Sequence, residues 1–330
     1  MKTVVIIGGG TATFTLLKGL RQFPTNNIVV VSTADSGGST GRLRDELGVM
    51  PMGDIRQCLL GLSYTAPALQ ELFLYRFDRG SLKGHNVGNI ILAALQKTTG
   101  SPERAIAEAA RFLNVRGEIL FVSTQPTTLS ARLADGTVIK GEHELDELVT
   151  KRRAPIEKLM LTKADANPRA LDAIARADAI VLGPGDLYTS TFPNLLVPGI
   201  AEAIRDSRAK KIFITNIMTK FGQTDRFAAS DFVREANRYL GARGNEPVID
   251  VAIVNTQKPH ASILARYRKE KAVLVTPDAE RIRKEGIAVI ARPLISNRVY
   301  KKANGDALIR SLLRHDSEKT ASIIWGLIKR

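Results

Sequence analysis

Apolar, β-branched runs in this chain end on glycines or small polar residues and give way at once to helical patterns, and this alternation restricts the fold more than any other feature. The runs Thr3 to Ile7, Ile28 to Ser32, Ala179 to Leu182, Lys211 to Thr215, Ile249 to Val254 and Val273 to Val275 read as buried parallel strands. Patterns such as Phe14 to Arg21, Leu195 to Asp206 and Asp231 to Leu240 read as the helices between them. The expectation is a doubly wound α/β sheet, whose ligands lie outside the carboxyl ends of the strands. Two stretches break the rhythm. Residues 53–114 carry successive helical patterns, at Asp54 to Leu62, Ala68 to Phe77, Val87 to Lys97 and Pro102 to Leu113. Further on, Thr128 to Leu133, the turn Asp135-Gly136 and Thr137 to Lys140 read as a β-hairpin, because Asp-Gly takes the positive φ values of a tight turn. No repeat, low-complexity tract or long linker interrupts the chain. Residues 1–330 are therefore read as one α/β domain, with a helical cover at about 53–114, a β-hairpin insertion at about 119–162 and a basic segment at 258–330.

Composition removes several classes of function. With 44% hydrophobic and 25% charged residues and a mean hydropathy of -0.05, the chain is neither disordered nor collagen-like. Its apolar runs fall far short of the roughly 18 residues that a membrane span needs. Lys2 leads straight into Val4 to Ile7, a buried strand and no secretory signal, and Cys58 is the sole cysteine, so a cytoplasmic protein without disulfides is expected. The net charge of +15 invites a nucleic-acid reading, but it divides into +3, +3 and +9 over successive thirds. Between Lys258 and Lys302 stand twelve basic and four acidic residues, with Tyr267 and Tyr300 among them. No helix-turn-helix, RNA-recognition or zinc-finger signature accompanies them. Nucleic acid is therefore set aside in favour of a solvated basic face, or one that serves an anionic ligand or lipid surface.

The chemistry gathers at the strand ends. Gly8-Gly9-Gly10-Thr11-Ala12-Thr13 follows the first strand, and consecutive glycines before a helix N-terminus suit a phosphate. Thr13 stands where G-x-G-x-x-G needs its last glycine, so a standard dinucleotide site is not expected. The second strand ends in Asp35-Ser36-Gly37-Gly38-Ser39-Thr40-Gly41-Arg42, an anion-binding loop beside an acid that could contact a ribose or hold a hard metal ion. Asp54 is placed to cap a helix, or else to join Asp35 as the second carboxylate of a Mg²⁺ site. Gly84-His85-Asn86-Val87-Gly88-Asn89 repeats the glycine and polar theme, and His85 could donate to a phosphate or act as an acid or base. Gly183-Pro184-Gly185-Asp186-Leu187-Tyr188-Thr189-Ser190, with Asn194 shortly after, has the makings of a ligand floor, and Asn216 to Thr219 ends the next strand.

Taken in order, Gly8 to Thr11, Ala34 to Arg44, Gly53 to Arg56, Gly84 to Asn89, Leu182 to Ser190 and Asn216 to Thr219 resemble the YvcK, or gluconeogenesis factor, family, a branch of the CofD-like superfamily. The resemblance covers roughly residues 1–310. It implies a Rossmann-like, doubly wound, mostly parallel sheet with inserted helices. It further implies binding of UDP-sugars such as UDP-N-acetylglucosamine, in a regulatory role linked to cell shape, cell-wall synthesis and carbon metabolism. The alternative it carries is a Mg²⁺-dependent transferase that moves a 2-phospho-lactyl or related group from a nucleotide donor. On the binding reading no cofactor is required; Mg²⁺ enters through Asp35 and Asp54. The loop Gly8, Gly9, Gly10 would hold the diphosphate, aided by Thr11, Gly37, Gly38, Ser39, Thr40 and Arg42, with His85, Asn86 and Asn89 nearby. Gly183, Gly185, Asp186, Tyr188, Thr189, Asn194, Asn216 and Thr219 would complete the pocket. Departures from the family pattern are Ala12 for glycine, Ser36 for aspartate, Met52 for proline, and Lys220-Phe221-Gly222-Gln223 for Gln-Pro-Gly-Glu. A homodimer is compatible with all of this, and no protein partner is indicated.

Overall fold

In the computed structural model, which describes residues 1–147, 154–244, 246–297 and 312–329, the first strand forms the axis of the molecule. This strand, β1 (Lys2–Ile7), sends Val5 and Ile7 into one apolar layer and Val4 and Ile6 into the other, all four at 0% exposure. A strand buried on both faces has no use for polar alternation, which is why it reads as a continuous apolar run. It is flanked by β2 (Thr25–Val31) and β7 (Ala179–Leu182), with Ile6 opposite Val29 on one side and Val181 on the other. Outward from there lie β3 (Glu118–Phe121) on one edge, and β8 (Lys210–Ile214), β9 (Val251–Asn255) and β10 (Ala288–Arg292) on the other. The order is β10-β9-β8-β7-β1-β2-β3 and every pairing is parallel, so the doubly wound α/β fold is as expected.

Helices cover both faces. On one side lie α1 (Gly10–Leu20) and α2 (Gly38–Leu47), together with α3 (Gly53–Leu62), α4 (Pro67–Leu74), α5 (Val87–Thr99) and α6 (Pro102–Phe112), which form the inserted helical cover. The last helix of the chain, α14 (Ser317–Ile328), packs on α1 so closely that a Cβ on Gly19 would lie 2.0 Å from the Ser317 carbonyl oxygen; only glycine permits that approach. An antiparallel sheet of β4 (Leu129–Leu133), β5 (Val138–Lys140) and β6 (Ile156–Leu161), in the order β5-β4-β6, carries the short α7 (Glu142–Glu147). The opposite face of the main sheet is covered by α8 (Pro168–Ala175), α9 (Phe192–Leu195), α10 (Ile200–Asp206), α11 (Ala229–Tyr239) and α13 (Ala279–Lys284). Near the end of β9 stands α12 (Ala261–Lys269).

Several sequence expectations shift. Val273 to Val275 is no strand: it makes a single bridge, Leu274 to Met218, while the sheet edge is β10, whose half-exposed residues lack a buried strand's signature. The segment expected as an insertion from 119 begins inside β3, and the hairpin gains a third strand, β6. The single helix expected over Leu195 to Asp206 is two, α9 and α10, separated at Gly199, whose φ is +89. Of the basic segment, Arg298, Tyr300, Lys301 and Lys302 lie outside the described residues. Tyr267, expected amid surface charge, is buried at 5% exposure. Among the described residues no helix is long and apolar enough to cross a membrane.

Candidate functional site

The helix that follows β1 packs on one face of the sheet and those that follow β7 on the other, so the chain leaves these neighbouring strands in opposite directions. Such a switch point opens a crevice at the carboxyl ends of the strands. A cleft of about 550 Å³ lies there, within the range of small-molecule sites.

Its floor is built from two glycine-capped helix starts. Gly9 occupies the cap position of α1 and Gly37 that of α2, and neither helix has a side-chain cap. The first N–H groups of both are therefore left for another acceptor. Gly9 is extended at φ -159, a conformation open to any residue, so its need for glycine is one of space: a Cβ there would sit 2.0 Å from Asp54 Oδ2. Asp54 thus faces the glycine loop and does not cap. Helix α3 starts at Gly53, with Met52 in the cap position. Asp35 lies across from it, its Oδ1 accepting from Gly37 N at 3.0 Å, and a Cβ on Gly53 would lie 2.9 Å from Asp35 Oδ2.

The cleft wall includes Gly9, Gly10, Thr11, Asp35, Gly37, Ser39, Thr40, Asp54, Asn89, Gly185, Asp186, Thr189, Asn216 and Thr219. The other candidates stand behind it. Gly8 donates its N–H to Val30 and Gly183 to Ile7, which closes the strand ends. Gly38, at φ +51, starts α2, and Arg42 donates to the Lys83 carbonyl. His85 Nδ1 pairs with Ser39 Oγ at 3.3 Å, and Asn86 caps α5, accepting from Asn89 N. Tyr188 turns inward and donates to Glu235 Oε1 at 2.9 Å; burial first, then the Glu235 carboxylate, push its hydroxyl far above the usual range. Asn194 donates to the Ser190 and Thr191 carbonyls from a fully buried position.

Sequence reasoning missed the opposite wall. Helix α7 brings Glu142, His143 and Asp146 to the cleft, and the loop after β8 brings Lys220. Lys220 Nζ donates to Asp146 Oδ1 at 2.7 Å and Asp186 Oδ2 at 2.6 Å, and Gln223 Nε2 donates to Asp146 Oδ1 at 3.0 Å. Burial alone would lower the lysine's pKa, but Asp186 and Asp146 outweigh it and hold it above its ordinary value. At the other end of α7, His143 N donates to Ser36 Oγ at 3.0 Å and Ser36 N to Glu142 Oε2 at 3.4 Å. Ser36 thus receives α7 where the family pattern has a further aspartate. Burial, then the charges of Asp35 and Asp146, push the Glu142 carboxyl well above the usual carboxylate range. Arg56, 3% exposed and donating to Asn89 Oδ1 at 2.7 Å, also reaches the cleft. So do Tyr267, Arg314 and His315 from the C-terminal part, the Tyr267 hydroxyl accepting from Leu312 N and Leu313 N.

No group of three or more His, Cys, Asp or Glu among the described residues is placed to hold a metal ion. Mg²⁺, however, commonly binds through one or two carboxylates, with phosphate oxygens and water completing its shell. The donors Asp35 and Asp54, beside a phosphate-shaped loop, fit a Mg²⁺ that arrives with a phosphate ligand. They do not make a cage that would hold one alone.

Comparison with known proteins identifies relatives along nearly the whole chain. The sequence model of the family described as 2-phospho-L-lactate transferase CofD matches residues 4–295. The gluconeogenesis factor of Halalkalibacterium halodurans is 39% identical over 326 residues, covering 98% of this chain and 95% of that protein. A putative gluconeogenesis factor of Thermotoga maritima is 42% identical, covering 97% of this chain and 98% of that one. The gluconeogenesis factor of Bacillus subtilis is 38% identical, with 99% and 98% covered. A crystal structure of a UPF0052 family member from Bacillus halodurans superposes with a TM-score of 0.88 at 38% identity, covering 98% of each chain.

Proposed function

The chain belongs to the CofD family, among gluconeogenesis factors, and from that premise we propose that its cleft binds a nucleotide-linked sugar of the UDP-N-acetylglucosamine class. The role is regulatory, exercised in the cytoplasm and tied to carbon metabolism, cell-wall synthesis and cell shape. One observation carries the binding reading: two helix starts without side-chain caps, at Gly9 and Gly37, open onto one cleft. Paired N-termini offer N–H donors and positive dipole ends to two adjacent phosphates. Asp35 and Asp54 flank that position, and a Mg²⁺ carried by the diphosphate would offset their charge.

Calorimetry with UDP-N-acetylglucosamine tests this reading. One binding event is expected, weakened about tenfold or more by Asp35→Ala or Gly9→Val, in line with loss of charge-assisted contacts. No heat with any UDP-sugar refutes it. Asp54 against Gly9 and Asp35 against Gly37, at two helix starts on one cleft, also favour a second reading, a transferase in which Mg²⁺ neutralises charge developing on a transferred phosphoryl group. That reading requires turnover of a nucleotide-linked donor that stops on chelation; a screen of such donors without product removes it.

A further inference from the structure

The wall that α7 adds to the cleft is acidic. A methyl built on Gly37 would lie 3.7 Å from each of Asp35 Oδ1, Glu142 Oε2 and His143 Nδ1, so these three groups surround one point above the glycine. Beside them stand Asp146 and Asp186, two carboxylates that share the single ammonium of Lys220. Thr189, three residues beyond Asp186 in the same loop, also lines the cleft; it is 5% exposed and its hydroxyl has no partner. Carboxylates accept hydrogen bonds, and a hydroxyl both donates and accepts. A group rich in hydroxyls therefore satisfies this wall, whereas an added carboxylate would face like charges in a partly desolvated site.

We propose that the α7 wall, built by Glu142, Asp146, Asp186 and Thr189, is the sugar subsite, and that it selects an uncharged sugar and rejects a sugar acid. This rests on the nucleotide-sugar reading above. Lys220 is the positioning residue of the wall: it binds Asp146 of α7 to Asp186 of the β7 loop and sets how much negative charge the sugar meets.

UDP-glucose and UDP-glucuronate make the test, since they differ by one carboxylate on the sugar. Calorimetry should show UDP-glucuronate weaker by about tenfold or more, as expected for like charges brought together. That ratio should shrink as salt rises from about 0.05 to 0.5 M, because screening shortens the reach of the repulsion. Asp186→Asn should narrow the ratio and Lys220→Met should widen it. A steric rejection would follow neither the sign of the substitution nor the salt. Equal affinity for the two ligands, or a ratio that neither variant moves, overturns the subsite while leaving the nucleotide-sugar reading intact. Failure of wild-type protein to bind UDP-glucose and UDP-N-acetylglucosamine alike overturns both.

Discussion

Gly9→Ala isolates the role of the glycine loop from any change in backbone preference. At φ -159 an alanine is conformationally acceptable, so what it must overcome is contact. The new methyl would meet Asp54 Oδ2 at 2.0 Å, Cγ at 2.7 Å and Cβ at 3.0 Å, against about 3.5 Å for a relaxed contact. The shortfall of more than about 1 Å has to be taken up by Asp54. Helix α3 cannot slide away, because Ile55 and Leu59 anchor it at 0% exposure. The carboxylate therefore rotates out of place, at a cost of about 1–3 kcal/mol typical of overpacking. Thermal unfolding and ligand calorimetry on the same sample measure both consequences, a lower Tm and binding weaker by about tenfold or more. The partner substitution Asp54→Ala removes the two shortest contacts, so Gly9→Ala with Asp54→Ala should be more stable than the sum of the single effects by about 1 kcal/mol. Gly48→Ala is the control: its φ of +64 strains alanine, yet no atom lies within 4 Å, so it should lose stability and keep binding. Additive single effects, or wild-type binding by Gly9→Ala, would refute the reasoning.

Three further outcomes follow from the groups around the cleft. Lys220→Met leaves Asp146 and Asp186 without their shared cation; with 26% of the lysine side chain exposed, the several kcal/mol of a fully buried pair is screened to about 1–2 kcal/mol, measurable by urea unfolding, and an unchanged midpoint counts against the clamp. Glu142 has a folded pKa raised above 4.5, so the unfolded chain ionises it first and stability falls as pH climbs from there; Glu142→Gln, which cannot ionise, should gain on wild type with rising pH, and a constant difference in Tm between pH 5 and 8 would contradict this. Burial lowers His315 from 6.5 to about 4, against a smaller opposing effect of the Thr215 backbone. The unfolded state thus takes up a proton that the folded state refuses, and about 3 kcal/mol of stability is lost as pH falls through that window. His315→Phe should flatten the slope between pH 6.5 and 4, and an identical slope would contradict the assignment.

What could be read in advance follows how local its causes are. Gly9, Gly37 and Asp35 announced themselves because phosphate-shaped loops depend on glycines and acids that are neighbours in sequence. The buried strands were equally visible, since a strand covered on both faces must be apolar throughout, whereas half-exposed β10 left no such trace. The α7 wall was hidden for the opposite reason. Lys220 and Asp146 lie 74 positions apart and meet only because a hairpin insertion folds back over the sheet. Their sole advance sign was Lys220 in a position where the family pattern is uncharged. Tyr188 shows the converse: it stands in a string rich in ligand-type residues, yet the wide turn Leu187–Thr191 directs it to Glu235, away from the cleft. His315 had no local signal, because its place is set by a bridge to Ile295.

The proposed binding of a nucleotide-linked sugar in the cleft between the β1 and β7 loops has a direct test. Native mass spectrometry of the protein, equilibrated with UDP-N-acetylglucosamine and UDP in competition and then desalted, tests it most directly. A single adduct with the mass of the nucleotide-sugar, absent from Gly9→Val, is the predicted result. Unliganded protein alone, or an adduct that Gly9→Val retains at full intensity, would contradict it.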